Sequence, residues 1–421
     1  MLKYCDSFDH ATASALTALG WWGLDWWNGS LLAINSGLGR WGTNRLEIVN
    51  GSGNPKYFQL SRSCNRIVVG FAFAKYGNIT SHTIIFSYGS YKNFAVTITI
   101  SATGLTFSFA TGVGTGYPAI PSSAYVSAPF VKSDAYTFVE ILVDVTDYTN
   151  GRVKCGVNGT VVHDVTGIKT AAGDGFGNNP YDPRAKINTV MFASDASGNY
   201  GTGMYIDSIY ICDDEGGYHN DFLGDIFVKT RYPTSDGDQT AFSPYINGLA
   251  APDSTPRVTL IDDPVFDPTI EPDYIQADQD LVQETMWFAD ADIPVDSTLI
   301  AVNHRIAARS VASPGTPPPN TLIPLFKSSG NDIIITNSLA KKFTGWTYQF
   351  LDVYYNLVPG LTVDWTSLLL DESQFGFMLR EPIWTGVGLE EVIFADEVWD
   401  TEFDWDLVED ALGFADEVVD E

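Results

Sequence analysis

Four tryptophans fall within seven positions of one stretch, "GWWGLDWWNGS", together with a single carboxylate. Because side chains alternate between the two faces of a strand, Trp21, Asp25 and Trp27 would share one face if this stretch is extended. The opposite face is wholly apolar, which assigns Trp22 and Trp26 to a core. Two indoles beside a carboxylate suit either a sugar ring or a subunit contact, since Trp is enriched at interface hot spots. We therefore treat the first three residues as candidates for glycan or interface contact, with core packing as the alternative.

Glycoside hydrolysis would require paired carboxylates, about 5 Å apart in a retaining enzyme. The Glu-x-Asp-x-x-Glu motif of sandwich glucanases does not occur in the sequence. Glu140 and Asp144 share a strand face, but Leu142 lies between them, and Asp207 stands alone in "MYIDSIYI". No histidine pair, nucleophile elbow or phosphate loop indicates another active site. The sequence therefore predicts a protein that is not an enzyme, and it ranks a glycosidase or depolymerase last.

The segment "CDDEGGYHNDFLGD" is dense in oxygen ligands. Calcium binds six to eight oxygens, and Asp213, Asp214 and Asp221, with Glu215 and Asp225, could supply some of them. Their spacing matches no defined calcium loop, and Asp is an ordinary turn residue. Calcium is the one cofactor that the sequence leaves open, and no other is expected.

Short β-rich runs separated by Gly, Asn and Ser are the elements that would position these groups. Aromatic residues make up 13% of the chain, and 38 glycines are available for turns, a composition typical of strands and tight loops. Asn158-Gly159 lies between two alternating segments and is a strong hairpin signal. The pattern predicts an all-β chain.

The predicted organisation has three parts. Residues 1–230 read as a β-sandwich, followed by an exit strand and a turn-rich link at 225–244. Residues 245–385 predict a second β-sandwich-like domain, with one or two helical turns in "WTSLLLDES". Residues 386–421 form an acidic C-terminal segment.

The charge balance limits the choice of partners. The formal net charge of −29 makes nucleic acid and anionic membranes poor partners. No apolar run reaches the roughly 20 residues of a membrane span, and "MLKYCDSFDH" does not resemble a signal peptide, so synthesis in a cytoplasm is expected. Cys5, Cys64, Cys155 and Cys212 show no CxxC spacing, which predicts mostly buried free thiols.

The acidic segment contains an internal repeat. "FADEV" occurs at 394–398 and again at 414–418, in a stretch where apolar residues alternate with carboxylates. The segment is either a solvated tail or one that becomes ordered against a partner or a symmetry mate. The candidate docking residues are Phe394, Val398, Trp399, Phe403, Trp405, Phe414 and Val418.

Several motifs together resemble one protein family. "YCDSFDHATAS" (4–14) and "GLGRWGTNRLEI" (37–48) carry the N-terminal part of the resemblance. The most specific part is 204–244, with Phe-Leu-Gly-Asp followed by Pro-Thr-x-Asp-Gly. Downstream, "LIAVNHRIAARS" and "VDWTSLLLDESQFGFML" are also similar. Over about 1–385 the chain resembles structural proteins of tailed-phage virions with a concanavalin A-like (laminin-G-like) jelly-roll domain.

This resemblance implies a non-enzymatic virion protein displayed on the capsid or tail, as decoration, fibre or appendage. Its expected partners are other virion proteins and copies of itself, with a trimer as the form expected by analogy. The family brings no catalytic motif to carry over, and the acidic tail departs from its pattern. The main alternative is a carbohydrate-binding module for host glycans, since a lectin-like fold does not by itself establish sugar binding.

Overall fold

The structure is a computed structural model, and it describes residues 1–9, 16, 21–23, 32–40, 44–49, 56–75, 81–87, 94–101, 106–110, 125–126, 136–146, 151–168, 186–194, 203–246, 249–261, 273–276, 281–288, 293, 297–308, 321–328, 333–336, 339–342, 349–361 and 363–380. Residues 1–380 form one compact unit. None of the described helices is long and apolar enough to cross a membrane.

Among the described residues, fifteen strands between residues 2 and 213 build the N-terminal sandwich. They are β1 (Leu2–Asp6), β2 (Trp21–Gly23), β3 (Leu32–Asn35), β4 (Arg45–Val49), β5 (Lys56–Cys64), β6 (Arg66–Lys75), β7 (Ser81–Ser87), β8 (Phe94–Ser101), β9 (Thr106–Ala110), β10 (Tyr125–Val126), β11 (Thr137–Asp144), β12 (Gly151–Val157), β13 (Thr160–Ile168), β14 (Ile187–Ser194) and β15 (Gly203–Asp213). All their described pairings are antiparallel.

These strands form two sheets. The eight-stranded sheet has the order β13-β12-β11-β6-β15-β4-β3, with β1 also pairing with β15. The seven-stranded sheet has the order β10-β9-β8-β7-β14-β5-β2. The chain changes sheet repeatedly, for example between β5 and β6, between β6 and β7, and on both sides of β14. The expected jelly-roll sandwich is confirmed.

Alternation along each strand explains the sandwich. In β6, Ile67, Val69, Phe71 and Phe73 belong to the main core between the sheets, and the positions between them face the other way, as a strand period of two requires. The predicted hairpin is also confirmed: β12 and β13 are joined by Asn158-Gly159, both with positive φ, as a type I′ turn needs.

The described part of the second region contains eleven more strands. They are β16 (Pro233–Thr240), β17 (Ser243–Ile246), β18 (Leu249–Ala250), β19 (Asp273–Gln276), β20 (Gln283–Phe288), β21 (Val302–Ala308), β22 (Thr321–Ser328), β23 (Ile334–Ile335), β24 (Lys341–Lys342), β25 (Gln349–Tyr355) and β26 (Ser373–Arg380). A 3-10 turn covers Arg257–Leu260 and a short α-helix covers Ser367–Asp371, the latter in the predicted "WTSLLLDES".

The second region has three sheets. A six-stranded sheet has the order β16-β20-β26-β22-β23, with β24 beside β22, and a three-stranded sheet has the order β18-β17-β19. The third is the two-stranded ribbon β21–β25. A separate apolar core, with Phe326, Trp365 and Phe375 among its members, lies in this region. The expectation of further β structure is confirmed, while the boundaries predicted at 230 and 245 stay a prediction.

The β21–β25 ribbon connects the two cores. Its Phe350 belongs to the main core of the N-terminal sandwich, and Ala307 packs against that core. On the same ribbon, Ile306, Leu351 and Val353 belong to the core of the second region. One hydrophobic ribbon thus packs on both sides, which is why residues 1–380 form one unit.

Two elements of this part of the chain differ from the sequence analysis. The exit strand and turn-rich link were expected within 225–244, and the structure has a strand there only at Pro233–Thr240, after residues 225–232 without regular structure. The sequence analysis did not predict β22, which lies inside the six-stranded sheet although it contains Pro324. Proline usually indicates an edge or a loop, but here the neighbouring apolar residues outweigh that preference.

Candidate functional site

A five-residue strap, residues 221–225, covers part of the outer face of the eight-stranded sheet. Phe222 and Leu223 pack against a second apolar cluster on that face. The members of this cluster on the sheet include Val68, Ala72 and Phe138, all fully buried. The strap is the "DFLGD" part of the motif, so the sequence that carried the resemblance seals one side of the sandwich.

A buried carboxylate holds the middle of the strap. Glu140 Oε1 accepts a hydrogen bond from the Tyr210 hydroxyl at 2.5 Å and another from the Gly224 N–H at 2.8 Å. The same Tyr210 oxygen accepts from the Leu223 N–H at 3.1 Å. Desolvation raises the pKa of Glu140, while these donors pull it down. The acid therefore acts as an acceptor for backbone, with Leu142 on the same face as predicted.

Two glycines make room for the rings beneath the strap. A Cβ on Gly70 would stand 2.0 Å from Tyr210 Cε1, and a Cβ on Gly156 would stand 2.8 Å from Phe222 Cε2. Real Cβ atoms do not approach that closely. The two glycines thus form a groove in the sheet that accepts one ring of β15 and one ring of the strap.

Ion pairs fix the two ends of the strap. Lys154 Nζ lies 2.6 Å from Asp221 Oδ1 and 4.2 Å from the centroid of the Phe222 ring. At the other end, both terminal nitrogens of Arg40 bond to the carboxylate of Asp225. A bidentate pair of this kind fixes orientation as well as distance.

The motifs at 4–14 and 37–48 also meet here. The Asn44 N–H donates to Asp9 Oδ1 at 2.7 Å, and the Ser7 hydroxyl lies 3.0 Å from that of Thr230. The Arg40 N–H donates to Asp207 Oδ2 at 2.6 Å, so this acid, which has no second carboxylate in its own strand segment, accepts a backbone hydrogen bond. Three distant sequence motifs therefore form one hydrogen-bonded network.

A second buried network joins the N-terminal sandwich to the ribbon. Trp21 Nε1 donates to the Tyr4 hydroxyl at 2.9 Å, and that hydroxyl donates to Asp6 Oδ2 at 2.8 Å. Arg305 on β21 donates to the same Asp6 oxygen at 3.0 Å and to Asp352 Oδ1 at 2.5 Å. Desolvation lowers the pKa of Arg305, but the two carboxylates outweigh it and the pKa is raised.

The prediction for Trp21 was wrong. Its indole is 0% exposed and lies in the main core against Phe58 and Phe192. Residue 21 is paired with residue 58 on β5, which places it on the inner face, opposite to the assignment from the sequence. Asp25 and Trp27 lie outside the described residues.

The predicted calcium ligands are not brought together. Asp213 pairs with the Met1 ammonium group and with Lys3, and Asp221 pairs with Lys154. Asp214 accepts the Asn65 N–H at 3.2 Å. Within the described residues, no group of three or more His, Cys, Asp or Glu side chains could hold a metal ion. These acids serve as partners for cations and backbone groups.

The other predicted residues divide into confirmed and undescribed ones. All four cysteines are free thiols, and all except the half-buried Cys5 are buried, as expected. Every docking candidate of the acidic segment, from Phe394 to Val418, lies outside the described residues, so those assignments stay predictions.

The Pro-Thr-x-Asp-Gly motif has a structural role in the second region. Asp236 accepts the N–H groups of Arg257 and Val258 at 3.1 and 2.7 Å, which caps the start of the 3-10 turn. The Asp238 N–H donates to Gln374 Oε1 at 2.8 Å. A Cβ on Gly237 would stand 2.4 Å from Thr285 Oγ1, so glycine is required there.

Comparisons with known proteins give only distant likenesses. No family model matches the sequence and no curated protein matches it. Among solved structures, the chain is similar to an endo-β-1,4-glucuronan lyase from Trichoderma reesei, with 12% identity, 51% of this chain and 96% of that chain covered, and a TM-score of 0.35. It is also similar to the Emp46p carbohydrate recognition domain, with 13% identity, coverage of 49% and 95%, and a TM-score of 0.33.

A third likeness is to the carbohydrate-binding module CBM66 from Bacillus subtilis, with 10% identity, coverage of 45% and 93%, and a TM-score of 0.29. At these scores none of the three likenesses assigns an activity or a ligand to this chain.

Sequence reasoning missed two buried charged residues, Arg305 of the second network and Glu284 of β20, whose carboxylate accepts the Phe242 N–H. They occur in "NHRIAARS" and "QETMWFAD", and both were treated only as parts of strands. A charged residue at an inward position of an apolar strand is the signal that could have found Glu284, since buried charges are rare unless paired. Arg305 could not be found in this way, because its partner Asp6 lies 299 residues earlier.

Proposed function

We propose that this chain is a non-enzymatic structural protein that works through protein–protein contacts, on the capsid or tail of a tailed-phage virion. The observation that supports it is the convergence of the three family-like motifs on one internal network. Asp9 with Asn44, and Arg40 with Asp225, bind each other rather than lining an open cleft. These motifs therefore serve to hold a rigid body together, which is what an assembly component requires.

The carboxylates that could have done chemistry are engaged in the same way. Glu140 is 1% exposed and accepts the strap backbone, and Asp144 bonds Arg66 through two nitrogens, at 2.8 and 2.6 Å. Two acids of a glycosidase would instead face a cleft wide enough for a sugar. The engagement of Glu140 and Asp144 within the protein therefore supports a structural role rather than a catalytic one.

Analytical ultracentrifugation tests the proposal. The full chain is compared with a chain ending at Arg380, where the compact unit ends. We expect a homo-oligomer, with a trimer as the form implied by the resemblance, for the full chain and a smaller species for the shorter one. A monomer in both cases, at concentrations up to about 100 µM, where even contacts of micromolar Kd are largely occupied, would contradict self-assembly.

Carbohydrate binding is the second candidate, and one feature of the seven-stranded sheet favours it. On β5, which lies next to the edge strand β2, Tyr57 is half-buried and Gln59 is exposed. They alternate with the core residues Phe58 and Leu60, so they lie on the outer face. An aromatic side chain beside an amide side chain suits a sugar ring.

A glycan array distinguishes this candidate. We expect the native chain to bind a subset of glycans and a Tyr57→Ala/Gln59→Ala variant to lose at least tenfold in affinity. Arg152→Ala, on the other sheet, is the control and keeps binding. No glycan bound by the native chain, or equal binding by all three proteins, removes this candidate.

A further inference from the structure

The second region buries one carboxyl group that its surroundings satisfy only in part. Glu284 on β20 is 0% exposed. Its Oε2 accepts the Phe242 N–H at 3.0 Å, whereas Oε1 is buried without a hydrogen-bond partner among the described residues. A buried carboxylate is costly unless its oxygens are bonded, so this geometry favours the protonated acid.

Glu284 holds the residue that anchors a neighbouring segment. The carbonyl of Phe242 accepts a hydrogen bond from Arg257 Nε at 3.1 Å. The backbone N–H of Phe242 is thus bonded to Glu284 and its backbone carbonyl to Arg257. The Phe242 ring lies in the core, edge-on to Phe377 at 5.1 Å. We call residues 241–246 and 249–261 the anchored segment; it contains β17, β18 and the 3-10 turn.

The charges around Glu284 come from two elements. Arg257 of the 3-10 turn favours the ionised form, and Asp236 of β16 disfavours it. The other acid at this end of β16, Asp238, is exposed and paired with Lys327, and the neighbouring strand β26 sets the uncharged Phe377 opposite Glu284. Desolvation is the largest effect, and the pKa of Glu284 rises to about 7.

We propose that Glu284 is a proton-linked latch: the protonated acid keeps the anchored segment on the six-stranded sheet, and loss of the proton around neutrality loosens it. Opening of the segment gives Glu284 access to water, where it returns to the ordinary acidity of a carboxyl group. Closure therefore takes up a proton and opening releases one. The segment carries Leu249, which is 74% exposed. The protonation state of Glu284 would therefore control how tightly the strand that bears this exposed apolar side chain is held on the sheet.

The linkage fixes the direction and size of the effect. Between the ordinary pKa of 4.5 and the folded value of about 7, only the closed state holds the proton, so opening becomes easier as the pH rises. From these two values, the opening constant increases about tenfold between pH 6 and pH 8.

Hydrogen exchange on the native chain, followed by mass spectrometry at pH 6 and pH 8 and corrected for intrinsic rates, measures this constant for peptides within 241–261. We expect the tenfold rise in the native chain and none in Glu284→Gln. Glu140→Gln is the matched control, because it removes the buried acid under the strap; its 241–261 peptides keep the rise.

Two results would overturn the latch. One is a native chain whose 241–261 peptides open equally at both pH values, and this arm does not depend on any variant folding. The other is a Glu284→Gln protein that keeps the tenfold rise.

Discussion

The N-terminal sandwich buries apolar side chains between two wide sheets, whereas the second region arranges its core among sheets of six, three and two strands. The two also differ in their buried acids. Glu140 in the sandwich accepts a tyrosine hydroxyl and a backbone N–H on one oxygen, while Glu284 keeps one buried oxygen without a described partner. The buried acid of the sandwich is therefore satisfied by its neighbours, whereas the buried acid of the second region is satisfied only in part, and we expect stability in that region to depend on its protonation.

Gly→Ala substitutions in the two regions should give the largest difference in stability. A Cβ on Gly376 would stand 1.9 Å from the Glu284 carbonyl oxygen, which is backbone, whereas one on Gly70 would meet the Tyr210 ring. Because a ring can move and a paired strand cannot, we expect Gly376→Ala to abolish native folding. Gly70→Ala should cost about 3 kcal/mol, at the upper end of overpacking.

Circular dichroism and urea unfolding measure both variants. Gly217→Ala is the control, since nothing lies within 4 Å of its Cβ and its φ is not positive, and it should be nearly neutral. A stable Gly376→Ala protein would show that the six-stranded sheet is the more adaptable one.

The connection between the two regions should give the next largest effect. Arg305→Met leaves the 2% exposed Asp6 without its cation, and breaking a buried pair in this way costs about 3–5 kcal/mol. Arg152→Met removes the outer cation of an exposed pair with Asp164 and should cost about 0–1 kcal/mol. Urea unfolding followed by tryptophan fluorescence compares the two. Equal losses would mean that the ribbon is held by apolar packing alone.

The next largest effect should be a pH-dependent loss of unfolding free energy caused by Glu284 in the second region. The pKa of Glu284 is raised to about 7, so its penalty is absent below pH 4.5 and complete above pH 7. The native chain should lose about 3 kcal/mol across this window relative to Glu284→Gln. Denaturation midpoints of both proteins at pH 5, 6, 7 and 8 provide the measurement. If the difference in midpoint between the two proteins does not change with pH, Glu284 is not the group whose protonation changes the stability.

The smallest effects are expected at the surface of both regions. Asp221→Asn breaks the pair with Lys154 in the sandwich, and Asp238→Asn breaks the pair with Lys327 in the second region. Exposed pairs contribute about 0–1 kcal/mol and are screened by salt. Thermal melts at low and high salt should shift by no more than a few degrees for either variant. A large shift in only one of them would show that its pair does more than hold a loop.

Much of the fold could be predicted from strand patterns. The β-rich runs "RIVVGFAFAK", "FAVTITIS" and "GMYIDSIYICD" coincide with the strands at 66–75, 94–101 and 203–213, because apolar alternation and flanking turn residues are local signals. β22 could not be predicted in this way, since Pro324 opposes a strand assignment locally and only its pairing with β26 explains it.

The site could be predicted less well than the fold. The face of Trp21 was assigned by alternation alone, but a period of two gives two sets of residues and does not say which set points inward. Its pairing with Phe58 decides that, and this pairing is non-local. The same holds for the strap: "FLGD" was recognised as a motif, but its partners Glu140 and Arg40 lie 84 and 185 residues away from Gly224 and Asp225.

Strand β1 pairs with β15, so that Leu2 stands opposite Cys212. During synthesis on the ribosome, at about 5–20 residues per second, the first strand would wait on the order of 10 to 40 s for its partner. Arg305, which pairs with Asp6, is synthesised later still. Pairings between such distant residues make folding slow, and the open edge of the unfinished sheet would need protection from neighbouring chains throughout that time.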